Sequence, residues 1–289
     1  MSAKAVDAWL ASEYNEAASF VYSTENTAPV LALLDPKSGD KIIDFGCGSG
    51  EVTIKLSKVV ADVGIVVGVD SSQSMASTTA PSTELEKAKK NGLENVFVQD
   101  IQALDDEFAS RLLIKHGQFD KVFSNAVLHW CKLDPAGVIR SVKKVLKPGG
   151  VFVAEFGGWG NCIGVRSALH SALRKRGYDP IARDPWYFPS TESYSKLLVS
   201  EGFEVVNISL VPRQTLLAGH ILEWLRLFTK RTTFFQGIDL NETEVILGEV
   251  ANTCEVDAKD TDNDRWMLMY VRLRVLARRT TEDLSINDK

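Results

Sequence analysis

Ile42-Ile43-Asp44-Phe45-Gly46-Cys47-Gly48-Ser49-Gly50 is the stretch that decides how this chain is read. A β-branched run ends in three glycines, and residues 51–60 then carry Val52, Leu56, Val59 and Val60 at helical spacing. The segment is therefore a strand, a bare loop and a helix. Such a loop lets a ligand approach the backbone closely. A dinucleotide fingerprint would need glycine at position 51, where the chain has Glu51, whose charge at a helix start repels a pyrophosphate. A ligand without phosphates fits the loop better.

Outward from this loop, short β-branched runs at 41–45, 64–69, 95–98, 119–123 and 151–154 alternate with stretches of helical apolar spacing. That alternation predicts an α/β, doubly wound parallel sheet. Asp70 closes the second run, where a carboxylate can accept both hydroxyls of a ribose, and Asp100 closes the third. Asp134 is an N-cap ahead of Pro135, with Val138, Ile139, Val142, Val145 and Leu146 on one helix face. Lys147-Pro148-Gly149-Gly150 is expected to stop that helix and turn the chain into the fifth strand.

Flanking stretches divide as follows. Residues 1–39 form an N-terminal helical segment with two helical patterns broken by Pro29, and 40–156 form the α/β core. A loop-rich insertion, 157–190, is followed by a core continuation, 191–215, with a helix ending at Gly202 and a strand over 203–211. A helical insertion at 216–256 has Ile221, Trp224, Leu225 and Phe228 on one face. The core closes at 257–279 with an alternating strand in which Met267, Met269, Val271, Leu273 and Val275 oppose Tyr270, Arg272 and Arg274. Residues 280–289 are polar and are expected to be disordered. The charge run 84–90 reads as a solvated helix face.

Composition narrows the function classes. The 289 residues are 45% hydrophobic and 25% charged, and 33 Lys and Arg stand against 38 Asp and Glu, a net charge of −5. With no basic stripe, a nucleic-acid partner is not expected. Cys47, Cys131, Cys162 and Cys254 are scattered without a CxxC pair, which argues for reduced thiols and no metal. No apolar run approaches the ~18 residues of a membrane span, so neither a membrane nor an export context is expected and the cytoplasm is the default.

Asp44 to Gly50, Val69-Asp70, Gln99-Asp100 and Leu146-Lys147-Pro148-Gly149-Gly150 match, in order and spacing, the motifs of class I S-adenosylmethionine-dependent methyltransferases, and the chain resembles that family. Phe123 to Trp130, the segment from Trp9 to Tyr14, Ile221 to Trp224 and Arg274 to Arg279 look most like its trans-aconitate methyltransferase group. The resemblance implies a seven-stranded Rossmann-like sheet with the last strand antiparallel, under a helical and loop substrate cap built from 157–190 and 216–256. It implies S-adenosyl-L-methionine as cofactor. Gly46 and Gly48 would contact its methionine part, Asp70 its ribose, Asp100 with Ile101 its adenine, and Asn125 would lie near the sulfonium. Asp44 and Ser71 join them as cofactor-binding candidates, and Tyr14 would close over the cofactor.

The implied activity is methyl transfer to a small organic acceptor, foremost the oxygen of a carboxylate. A carboxylate is ionised at neutral pH and needs anchoring rather than a base. His129 is the candidate catalytic residue, as an orienting donor or a base; related enzymes often have glutamine there. Next to Trp130 it also reads as a packed core histidine. Trp130, Trp159, Trp186, Tyr187 and Trp224 are each ordinary packing residues, but together they suggest an apolar substrate pocket. Arg166, Arg174, Arg176, Arg183 and Arg213 lie in or beside the expected cap, most of them as helix-surface charges. Alternatives are methylation of a phenol, amine or carbon on a small molecule, and a non-catalytic S-adenosylmethionine-binding protein. Residues 124–127 lack the Asn-Pro-Pro-Tyr type of motif used on flipped bases.

Overall fold

The computed structural model describes residues 23–71, 89 and 92–281. Its strands are β1 (Lys41–Phe45), β2 (Ile65–Asp70), β3 (Val96–Val98), β4 (Phe119–Asn125), β5 (Leu146–Gly157), β6 (Phe203–Leu216), β7 (Lys259–Asp260) and β8 (Arg265–Arg279). They form one sheet in the order β3-β2-β1-β4-β5-β8-β6, with the two-residue β7 paired to β8 off this path. Pairs among β1 to β5 are parallel, and β8 runs antiparallel to β5. This is the expected seven-strand path with an antiparallel last strand; β8 sits inside it, and β6 forms the edge.

Side-chain alternation along the strands explains the two covered faces. Ile43, Phe45, Val67, Val69, Val122, Phe152, Ala154 and Phe156 point to one face, where α3 (Asp106–His116), α4 (Pro135–Val145) and α7 (Thr191–Ser200) pack. Ile42, Val66, Phe123 and Val153 point to the other, under α1 (Thr24–Leu34) and α2 (Glu51–Val60). In α4 the Asp134 carboxylate accepts the Gly137 N–H at 2.8 Å, and Val138, Ile139, Val142 and Val145 are no more than 2% exposed. Each such buried side chain is worth roughly 1.5–3 kcal/mol.

Three local expectations are corrected. Pro29 does not break the first helix: α1 runs through it, because Val30 and Leu34 on its next turns are buried in the core. Lys147-Pro148-Gly149-Gly150 lies inside β5 rather than before it. Leu146 pairs with Phe119 and the next pair is Val151 with Lys121, so the four residues bulge out of a strand that began at once after α4. The stretch 157–190 is not mainly loop. It holds α5 (Ile163–Lys175) and α6 (Pro180–Arg183), and Val165, Ala168, Leu169, Ala172 and Leu173 form the buried stripe of α5.

The described residues divide into two compact units. One, within 23–159, 187–211 and 272–281, contains both cores above. The other is drawn from 160–186 and 212–271, so it overlaps the two expected insertions and continues into the start of the closing strand. In that second unit α9 (Leu240–Ala258) packs against α5 and α8 (Ile221–Phe228), and Glu249 pairs with Lys175 at 2.8 Å and Arg176 at 2.9 Å. Asp184, 2% exposed, is held by Arg166 at 2.6 Å, His170 at 2.8 Å and the Trp186 N–H at 2.9 Å. Among the described residues no helix is long and apolar enough to cross a membrane.

Candidate active site

The glycine loop is sewn to β2 before it reaches α2. The N–H groups of Gly46 and Cys47 both donate to the Val69 carbonyl, at 2.7 and 3.1 Å, and the Gly48 N–H donates to Asp70 Oδ2 at 3.0 Å. Gly46 has φ +82°, and a Cβ there would stand 2.3 Å from Val127 Cγ2, so only glycine fits. The Ser49 hydroxyl donates to the Glu51 carboxylate at 2.6 Å, which keeps a negative charge at the first turn of α2.

Asp44 lies beneath this loop at 2% exposure, accepting the Thr53 hydroxyl at 2.7 Å. Burial, opposed by that hydrogen bond and aided by the Asp70 charge, raises its pKa to about 7. Burial also pushes the Cys47 thiol well above its usual range, with Asp44 and Asp70 adding to the effect. That thiol is inert as a nucleophile near neutrality.

Asp70 is the last residue of β2, partly exposed, and Ser71 follows it at the surface. A carboxylate has about four acceptor positions, and the Gly48 N–H takes up one. Asp100 is exposed two residues beyond β3, where its Oδ1 accepts the Gln102 N–H at 2.8 Å. Ile101 beside it is 4% exposed and part of the core. The turn is tied to α4, because Gln102 Oε1 accepts the Asp134 N–H at 3.1 Å and a Cβ on Gly137 would lie 2.1 Å from the Gln102 carbonyl.

The end of β4 comes next to the same loop. The Ser124 hydroxyl donates to the Phe45 carbonyl at 2.7 Å, and Asn125 is the last strand residue, in register with Glu155 of β5. Ala126 turns the chain at φ +59°, its N–H donating to the Glu155 carbonyl at 2.7 Å. A single 3-10 turn, Leu128–Trp130, then presents His129. The Gly157 N–H donates to His129 Nδ1 over 3.4 Å, and the His129 carbonyl accepts the Tyr187 N–H at 2.8 Å. Burial, and secondly the Arg272 charge, hold the His129 pKa well below its usual value. The ring is therefore neutral. With Nδ1 accepting, its proton is assigned to Nε2, leaving a donor there.

The aromatic candidates separate. Trp130 and Phe188 lie 5.2 and 6.1 Å from His129 between ring centroids, and Tyr187 packs on the core beside them. Trp159 is 66% exposed. Trp186 and Trp224 are packed inside the second unit, Trp186 edge-on to Phe234 at 5.1 Å and Trp224 donating its indole N–H to the Tyr270 hydroxyl at 2.7 Å. Of the expected arginines, Arg166 and Arg176 are spent on Asp184 and Glu249, and Arg183 donates to the Gln236 carbonyl at 2.8 Å. Tyr14 lies outside the described residues.

Sequence reading missed three groups near this end of the sheet. Thr53 supports Asp44; Glu155, 3% exposed, forms an ion pair with Arg274; and Arg272, 4% exposed, stands opposite Gly157 in the β5–β8 register. The signal for Arg272 and Arg274 was the charged face of an otherwise apolar closing strand. Among the described residues, no cluster of three or more His, Cys, Asp and Glu is arranged to hold a metal.

Residues 36–171 match the methyltransferase domain family. An uncharacterised methyltransferase of Schizosaccharomyces pombe is 33% identical over 279 residues, covering 94% of this chain and 98% of that protein. A solved S-adenosylmethionine-dependent methyltransferase from Anabaena variabilis superposes with a TM-score of 0.52 at 17% identity, over 96% of this chain and 99% of that one. A phosphoethanolamine N-methyltransferase from Haemonchus contortus, solved with S-adenosylhomocysteine, gives a TM-score of 0.52 at 19% identity, over 95% of this chain and 58% of that one. The two structures share the fold; the relative shares sequence along nearly its whole length. With the glycine loop and the acidic strand ends in place, the chain belongs to the class I S-adenosylmethionine-dependent methyltransferases, and S-adenosylmethionine is its cofactor.

Proposed function

We propose that this enzyme methylates the carboxylate oxygen of a small organic acid, as the resemblance to the trans-aconitate methyltransferase group suggests. The observation that carries the reading is the neutral His129 with Nδ1 accepting from Gly157. An Nε2–H can donate to the acceptor but cannot take a proton from it, so the acceptor is one that attacks without losing a proton.

The residues present fit the cofactor. The bare loop ends at Glu51 rather than at a phosphate-binding helix start, and Asp70 and Glu51 give this end of the sheet a negative character suited to a sulfonium. Bound S-adenosylmethionine supplies a methyl carbon already activated by positive sulfur. Gly46 and Gly48 would line its methionine part, Asp70 with Ser71 would accept the ribose hydroxyls, and the Asp100–Ile101 turn would flank adenine. Asn125 would face the sulfonium end, and Asp44 would hold the loop from beneath through Thr53. In the transfer an acceptor oxygen lone pair forms the O–CH3 bond, the C–S bond breaks, and its electron pair goes to sulfur. The products are a neutral ester and a neutral thioether, and no proton moves. The protein's part is to position the acceptor and exclude water, with Trp130, Tyr187 and Phe188 around His129.

The deciding experiment is incubation with methyl-labelled S-adenosylmethionine and a metabolite extract, followed by identification of the labelled product. A base-labile methyl ester is the expected result; label in an ether or amine would overturn the carboxylate reading.

A further inference from the structure

We propose that Phe188 is a positioning residue of the active site, holding the His129 imidazole in the orientation from which Nε2 donates; this rests on the orienting role given to His129 above. Tyr187-Phe188-Pro189-Ser190 leads into α7 and is tied down on both sides of Phe188. The Tyr187 N–H donates to the His129 carbonyl at 2.8 Å, and the Pro189 carbonyl accepts the Trp159 N–H at 2.8 Å. His129 follows the end of β4 and Trp159 the end of β5, strands that pair with each other, so this run is a strap across two neighbouring strand ends. Proline at 189 holds Phe188 to extended backbone, and the Ser190 hydroxyl caps α7 by accepting the Ser193 N–H at 3.2 Å. Tyr194 of α7 is 2% exposed and edge-on to Phe156 of β5 at 5.1 Å. Burial raises its pKa, and Tyr187 and Cys131 add to the effect, which places Tyr194 near both the strap and the end of the His129 turn.

A strap fixed in this way leaves the Phe188 ring little freedom. Its centroid lies 6.1 Å from that of His129 at an interplanar angle of 41°, and Trp130 lies at 5.2 Å and 44°. Packing is needed there, because the hydrogen bond on the imidazole, from the Gly157 N–H to Nδ1, is 3.4 Å long, beyond the ~2.7–3.2 Å of a strong N–H bond. An imidazole so weakly tethered turns about χ2 unless its neighbours block it, and a turned ring points its donor elsewhere. The Phe188 ring also keeps water from His129. The charged group acting on His129 is Arg272 of β8, whereas burial keeps Tyr187 of the strap and Cys131 of the turn protonated. Loss of the Phe188 ring leaves Arg272 in place and relaxes burial, the larger cause of the low His129 pKa.

The test follows the NMR signals of the His129 ring in the full-length enzyme with S-adenosylhomocysteine bound, the signals being identified by their loss in His129→Gln. In the wild type they are expected not to titrate between about pH 5.5 and 8, with the ring proton on Nε2. Phe188→Ala should make them titrate, with a midpoint moved toward the ~6.5 of free histidine. The same variant should lower incorporation of label from S-adenosylmethionine into a metabolite extract by about 10- to 100-fold, at unchanged S-adenosylhomocysteine affinity. Phe188→Tyr keeps the ring and should match the wild type in both measurements. His129 signals in Phe188→Ala that stay as in the wild type would overturn the proposal and leave the carboxylate reading intact. A wild-type His129 that itself titrates near ~6.5 would overturn both. Should Phe188→Ala fail to fold, Phe188→Val decides by the same signals, and an unchanged His129 there rejects the proposal.

Discussion

Gly46 and Val127 occupy adjoining space so tightly that a Cβ on the glycine would lie 2.3 Å from one Val127 methyl carbon and 2.6 Å from the other. Val127 leads directly into the turn that presents His129. The glycine loop and the turn that presents His129 are therefore placed by one contact.

Gly46→Ala should damage both ends of the reaction. The substitution adds strain at φ +82° and overpacking against Val127, each of order 1–3 kcal/mol. A lowered Tm together with weaker S-adenosylhomocysteine binding is expected, measured by calorimetry. Wild-type values for both would show that the loop and the turn are independent.

Asp70→Ala removes the carboxylate that holds the Gly48 N–H at 3.0 Å and that is assigned to the ribose. Hydrogen bonds to a charged acceptor are worth roughly 1.5–3 kcal/mol each. Cofactor affinity should fall by at least one to two orders of magnitude while unfolding stays cooperative. A titration giving unchanged affinity would take Asp70 out of the site. NAD and NADP should give no thermal shift comparable to that of S-adenosylhomocysteine, because Glu51 opposes their pyrophosphate.

His129→Gln should keep much of the activity, since the amide nitrogen still donates, and His129→Ala should keep less. Wild-type turnover should be flat across pH 6–9, because a histidine held below its usual pKa is neutral throughout that range. A general base is typically worth ~10²–10⁴-fold, and glutamine cannot replace it. Equal, near-complete loss in both variants, with a wild-type limb near the ~6.5 of free histidine, would refute the orienting role.

Asp44 makes stability depend on pH. Its folded pKa of about 7 lies above the ordinary carboxylate value of 3.8, so the native state binds the proton more tightly than the unfolded chain. Stability from this group is full below about pH 4, declines as pH rises toward 7, and is level above that. At ~1.4 kcal/mol per unit the loss has an upper bound of roughly 4 kcal/mol. Asp44→Asn preserves an acceptor for Thr53 and removes the decline. Denaturant midpoints for the two proteins should therefore diverge between pH 4 and 7, with the variant gaining relative to wild type; parallel curves would mean Asp44 is ionised in the folded protein.

What the sequence determined by itself is the α/β class, the parallel core and the strand–glycine loop–helix unit at residues 42–60. Those features are written in short-range signals: period-two apolar runs, the helix cap at Asp134, and a glycine loop whose Gly48 meets Asp70 at the next strand end. Residues 147–150 and α5 show where such signals mislead, since glycine and proline within a bulge look like those in a turn, and flanking glycines masked a helical stripe. The surroundings of His129 were decided only by tertiary structure. Glu155 meets Arg274 across 119 residues, and Gly157 meets both His129 and Arg272 because β8 inserts antiparallel beside β5. A charge on an alternating strand reads the same whether that strand is an exposed edge or an inner member of a sheet. Only the strand order, with β8 between β5 and β6, buries Arg272.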